Sequence, residues 1–101
     1  MELNHELLGN YPNPFNPSTT ISYALPFNSN VELAIYDLTG KVVKEFIING
    51  QSAGYQNIVW SGINRNGSLV SSGVYFYRFK AVSLEKNNEV YTKTTKMMIV
   101  K

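Results

Sequence analysis

The sequence predicts an all-β sandwich of about seven antiparallel strands in two sheets, and three observations carry that expectation. Apolar residues recur at every second position over short runs, the period of a strand with one buried face: Ile21, Tyr23 and Leu25; Val31, Leu33 and Ile35; Tyr75, Tyr77, Phe79 and Ala81. Clusters of Asn, Gly, Pro and Ser punctuate these runs at short intervals. No eleven-residue window free of Pro and Gly sustains the apolar spacing of a helix, so none longer than a turn is expected.

Taken in order, residues 1–10 are polar with Leu3, Leu7 and Leu8 interspersed, and they read as a linker. The segment Tyr11, Pro12, Asn13, Pro14, Phe15, Asn16, Pro17 cannot be helical, because each proline removes a donor and biases its predecessor to extended geometry. Two alternating strands follow, separated by the turn-rich residues 26–30. Residues 37–40 read as a tight turn, and 42–48 resume β-branched and aromatic character up to Asn49-Gly50, a strong hairpin signal. Residues 55–60 form the next strand, and 61–68 a polar loop with a second Asn-Gly pair, after which Leu69 and Val70 offer a short strand. Residues 73–81 are the richest strand, 85–89 a charged turn, and 90–100 a long closing strand. That count and spacing point to an immunoglobulin-like sandwich with Greek-key connections.

The bulk properties exclude several classes of function. A chain of 101 residues encloses one core, which leaves no room for an enzyme with a cleft between two lobes. Hydrophobic residues at 44% against charged ones at 16% provide enough apolar area to offset chain entropy. The net charge is +2, and the nine Lys and Arg residues are scattered with no run of three, so nucleic acid is not expected as a partner. No apolar stretch approaches the roughly 20 residues of a membrane-spanning helix. Without cysteine there is neither a disulfide framework nor a thiolate metal site. Residues 1–10 lack the basic-then-apolar order of a secretory leader, so an exported protein would carry its leader upstream.

The run Tyr11, Pro12, Asn13, Pro14, Phe15, Asn16, Pro17, Ser18, Thr19, Thr20, Ile21 resembles the opening of the type A C-terminal sorting domain of the bacterial type IX secretion system. Further marks follow in order: Ile35, Tyr36, Asp37, Leu38, Thr39, Gly40; Ala53, Gly54, Tyr55; Ser72, Gly73, Val74, Tyr75, Phe76, Tyr77, Arg78; and the terminus Lys96, Met97, Met98, Ile99, Val100, Lys101. The resemblance implies a domain, residues 11–101, that follows exported cargo, folds in the periplasm and is recognised by outer-membrane translocon or shuttle components. It also implies that a surface sortase commonly cuts the preceding linker, here residues 1–10, and leaves the cargo at the cell surface or outside the cell. Trp60, Ser61 and Gly62, with Gly73 to Tyr77, are similar also to the immunoglobulin-like domain of flagellar hook-capping proteins. Many relatives have Asp where this chain has Ser61 and Asn64, so if those carboxylates hold a cation in relatives, none is expected here.

Each candidate recognition residue has a structural reading as well. Pro12, Asn13 and Pro14 form either an epitope or a stiff turn into a strand, with the Asn13 amide bonding nearby backbone. Gly40, Gly54 and Gly73 mark either a binding surface or positions of positive φ. Tyr75, with Trp60, Tyr77 and Phe79, is expected in the core, leaving Phe76 as one outward ring and making a sugar-binding platform the least favoured alternative. In the last strand, Met97, Met98, Ile99 and Val100 are apolar on both faces. Lys96 and Lys101 flank them, so the strand is either a handle with an exposed edge or a central strand buried on both sides.

Catalysis, metal binding and cofactors are not expected. His5 is the single histidine and Asp37 the single aspartate, and a triad would need His5, in a segment read as mobile, to reach Asp37. The glutamates sit among polar neighbours, and the loop 64–68 offers amides and a hydroxyl where calcium wants carboxylates. The expected role is therefore a non-enzymatic secretion signal, with a structural spacer or assembly module as the alternative.

Overall fold

The computed structural model describes residues 4–15, 18–85 and 87–100. Seven strands run in chain order: β1 (Glu6–Tyr11), β2 (Thr19–Leu25), β3 (Ser29–Tyr36), β4 (Val42–Gln51), β5 (Gly54–Trp60), β6 (Gly73–Ser83) and β7 (Val90–Ile99). They form an immunoglobulin-like sandwich of a three-stranded sheet, β1-β2-β5, and a four-stranded sheet, β4-β3-β6-β7, with every pair antiparallel. No helix occurs among the described residues.

Alternation in the sequence becomes two facing layers because each strand turns one row of side chains inward. The three-stranded sheet contributes Leu7, Ile21, Tyr23, Leu25, Ile58 and Trp60, and the other contributes Val31, Leu33, Ile35, Tyr75, Tyr77, Phe79, Ala81, Met97 and Ile99, all buried. Tyr23 meets Phe79 across the layers at 4.6 Å between ring centres. The Tyr23 hydroxyl is not stranded in this apolar space, since it donates to Gln51 Oε1.

The turn at 37–40 forms as expected. Asp37 Oδ1 accepts from the backbone N–H groups of Thr39 and Lys41 and from the Thr39 hydroxyl, which holds the Asp37 carboxyl below its usual range. Gly40 has φ +88°, a value that would strain any residue with a Cβ.

Three local expectations are corrected. Asn49-Gly50 is not a hairpin: β4 continues to Gln51, which pairs with Ser29, and the chain then crosses to the other sheet, where β5 pairs with β2. Two side chains catch that crossing, Asn30 Oδ1 accepting from Gly50 N and Asn28 Oδ1 from Ala53 N. Leu69 and Val70 make no strand, only a single bridge from Leu69 to Ile63. Residues 6–10, expected as linker, belong to β1, where Leu7 is buried and the register jumps at a bulge between Leu7 and Gly9. The bulge breaks the period-two pattern, which is why alternation did not reveal this strand.

His5 is likewise anchored. Its ring stacks on Tyr91 at 5.7 Å, its side chain is 4% exposed, and Nδ1 lies 3.9 Å from a Glu89 oxygen. Burial lowers its pKa, against the opposing pull of Glu89. Asp37 sits beside Gly73 and Tyr75, at the other end of the β6–β7 pair. At about 3.4 Å per strand residue the two groups are roughly 25 Å apart and cannot act together.

Candidate functional site

The Pro12–Asn13–Pro14 segment and the last strand, far apart in sequence, meet at one end of the sandwich. Asn13 Oδ1 accepts a hydrogen bond from Met98 N at 3.0 Å. Phe15 N donates to Met98 O, and Val100 N donates to Phe15 O, both at 3.0 Å, so Phe15 lies as a one-residue parallel partner along the outer edge of β7 beside Ile99. The backbone groups that β7 would otherwise leave unpaired there are thereby satisfied.

Beneath this seam the packing is aromatic. Phe15 is buried edge-on against Trp60 at 5.6 Å, and Trp60 meets Tyr75 at 6.0 Å, also edge-on. The polar tips find backbone partners, Trp60 Nε1 donating to Ile63 O and the Tyr75 hydroxyl to Ser71 O. A second tie holds the segment from below. The Tyr77 hydroxyl donates to Asn10 Oδ1, Asn10 Nδ2 donates to Thr19 Oγ1, and Thr19 donates to Pro12 O at 2.8 Å. Burial pushes the Tyr77 pKa up to about 12.

The last strand is therefore an edge strand with two different faces. Met97 and Ile99 enter the core, whereas Lys96, Met98 and Val100 stay exposed. The expectation of a central strand buried on both faces is corrected: β7 has a neighbour, β6, on one side only, and its apolar run covers core on one face and solvent on the other. A cleft of about 260 Å³ opens between the two segments, lined by Asn13, Pro14, Val74, Lys96, Met97 and Met98. It combines apolar walls with the exposed Lys96 side chain, a surface suited to an extended apolar or acidic partner segment.

The structure thus gathers Pro12, Asn13, Pro14, Gly73, Tyr75, Lys96, Met97, Met98, Ile99 and Val100 at one end of the molecule, with Gly73 paired to Ile99. Gly54 is elsewhere, paired with Leu25 at the far end of β5, whereas Gly40 lies in the 37–40 turn, whose Asp37, Leu38 and Thr39 border Gly73 and Tyr75 at the same end. Lys101 lies outside the described residues. Tyr75, with Trp60, Tyr77 and Phe79, is core, and Phe76 is half-buried, so no exposed aromatic platform is built from this set. Asn64 uses its side-chain oxygen to close its own loop, accepting from Asn66 N and Ser68 N. Sequence reasoning missed Asn10 and Thr19, whose roles depend on the register of the unrecognised β1.

The family model of the FlgD Ig-like domain matches residues 16–88, well over half of the chain. The chain belongs to that family. A solved structure, FlgD from P. aeruginosa, superposes with TM-score 0.58 at 28% identity over 80% of this chain and 60% of that one. Dimeric latent PorU from Porphyromonas gingivalis superposes with TM-score 0.75 at 24% identity, covering 95% of this chain and 9% of its own length. PorZ of the same organism, described as an essential bacterial surface component of the type-IX secretion system, gives 0.55 at 18% identity, over 97% of this chain and 12% of its own. The likeness to PorU and PorZ is one of fold. No curated protein matches the chain.

Proposed function

We propose that this FlgD-type Ig-like domain is a non-catalytic C-terminal secretion signal, recognised as a folded module by outer-membrane components of a type IX secretion system and carried to the cell surface with its cargo. One observation carries the reading. The two segments that define the resemblance to sorting domains, the Pro-Asn-Pro opening and the Lys-Met-Met-Ile-Val terminus, are bonded into a single surface at Asn13, Phe15, Met98 and Val100. A partner that reads both reads a shape that exists only after folding. Superposition on PorU and PorZ, each covering 95% or more of this chain, supports the same reading. Cleavage by a sortase would fall before β1, because from Glu6 onward the chain is part of a sheet.

The family match favours a second reading, a structural spacer or assembly module of the hook-cap kind. Fusing residues 1–101 behind a periplasmic reporter, in matched strains with and without the translocon, separates the two. Translocon-dependent appearance of the reporter at the surface is expected, and equal retention in both strains would leave the spacer. Deleting residues 97–101 is a poor test, since it removes Met97 and Ile99 from the core and unfolding alone would block export.

A further inference from the structure

The sandwich has four edge strands, β1 and β5 in one sheet and β4 and β7 in the other. An edge strand presents unpaired N–H and C=O groups that template another strand unless something blocks them. Three of the four carry a blocking device over part of their length. Asn13 and Phe15 occupy the end of β7. β1 is bulged, and its Leu7 N donates to the Tyr91 hydroxyl. β4 carries Lys44 and Glu45 and spends the Val43 carbonyl on Arg65 N.

β5 has none of these devices. Its seven residues, Gly54–Trp60, pair with β2 without a register shift and include no charge and no proline. Among the described residues, no segment other than β2 pairs with its backbone. Its outward side chains are apolar at both ends, Tyr55 at 69% and Val59 at 59% exposure, with exposed Asn57 between them.

We infer that β5 joins two copies of this chain edge to edge in a two-fold dimer centred on Asn57. The strand is self-complementary about that residue. Antiparallel pairing of β5 with its copy sets Tyr55 against the partner's Val59, Val59 against the partner's Tyr55, and Asn57 against its own counterpart. Aromatic–β-branched pairs of this kind are favourable across antiparallel strands. This register uses all seven residues; a shift by two residues shortens the overlap, and a shift by one sets outward side chains against inward ones. The result is a continuous sheet, closed by its two-fold axis and therefore limited to two copies. The inference stands on the edge alone and does not depend on the export reading.

The absence of cysteine makes the test clean. Directly opposed residues bring their Cβ atoms within about 4.5–5.5 Å. On mild oxidation the 101-residue chain with Asn57→Cys should therefore form a disulfide-linked dimer about tenfold faster than one with Thr92→Cys, exposed on β7. Sedimentation equilibrium of the unmodified chain should show mass rising with concentration toward twice 11.4 kDa. Asn57→Lys, which opposes two like charges at the axis, should weaken association at least about tenfold. A chain that stays monomeric to about 1 mM, a dimer indifferent to Asn57→Lys, or equal cross-linking of the two cysteine variants would overturn the inference. Circular dichroism confirms folding of each variant, and if Asn57→Lys does not fold, the cysteine pair alone decides.

Discussion

Replacing Phe15 by alanine probes the seam between the N-terminal segment and β7 most severely. The ring is 2% exposed and packs edge-on against Trp60, while its backbone is bonded to Met98 and Val100. Truncating a buried Phe costs about 3–5 kcal/mol, combining lost transfer free energy with the cavity left behind. Set against a total of about 5–15 kcal/mol for a domain, that is a large fraction. At roughly 4–8 °C per kcal/mol for a domain of this size, melting should fall by about 12–40 °C. Asn13→Ala is the companion, because Asn13 is exposed and loses one neutral hydrogen bond to Met98, worth about 0.5–1.5 kcal/mol. Urea unfolding followed by circular dichroism measures both, with the slopes required to match the unmodified chain. A Phe15→Ala protein within about 1 kcal/mol of the original would mean that the segment is not docked and that the composite surface does not exist.

Two further predictions concern pH. Burial lowers the folded-state pKa of His5 below 6.5, so the stability that neutral His5 confers is complete above pH 6.5 and is lost as the pH falls through the lowered value; His5→Gln should flatten this acid slope in urea midpoints. Tyr77 behaves in the opposite sense: with a pKa pushed up to about 12, the stability linked to its neutral phenol is intact below pH 10 and is lost as the pH climbs from 10 through 12. Tyrosinate absorbance should show this phenol ionising last or only on unfolding, and Tyr77→Phe should remove that component of the alkaline loss.

The sandwich was legible where a strand has one wet and one dry face. β2, β3 and β6 alternate cleanly, and their inward residues, Tyr23, Leu33 and Tyr77 among them, are fully buried. The aromatic core was legible for the same reason. Legibility failed where backbone geometry or tertiary pairing overrides local signals. Asn49-Gly50 has hairpin chemistry, but β5 finds its partner in the other sheet, and no local pattern encodes which sheet receives a strand. β1 hides behind its bulge, so His5 read as a mobile residue when it is stacked on Tyr91. The candidate site was legible as two separate motifs, and their junction was not, because it rests on a single side-chain amide and the backbone of Phe15 reaching β7.

The reading of a folded surface stands or falls on variants that alter that surface and leave the core intact. Lys96 and Met98 are exposed on β7, so changing Lys96→Glu and Met98→Glu together should shift stability by no more than about 1 kcal/mol. Surface display of a reporter fused to this double variant, measured beside the unmodified fusion in a translocon-bearing strain, should drop to the level of a translocon-deficient strain while the isolated domain melts as before. Unchanged display of the reporter by the folded double variant would contradict the account.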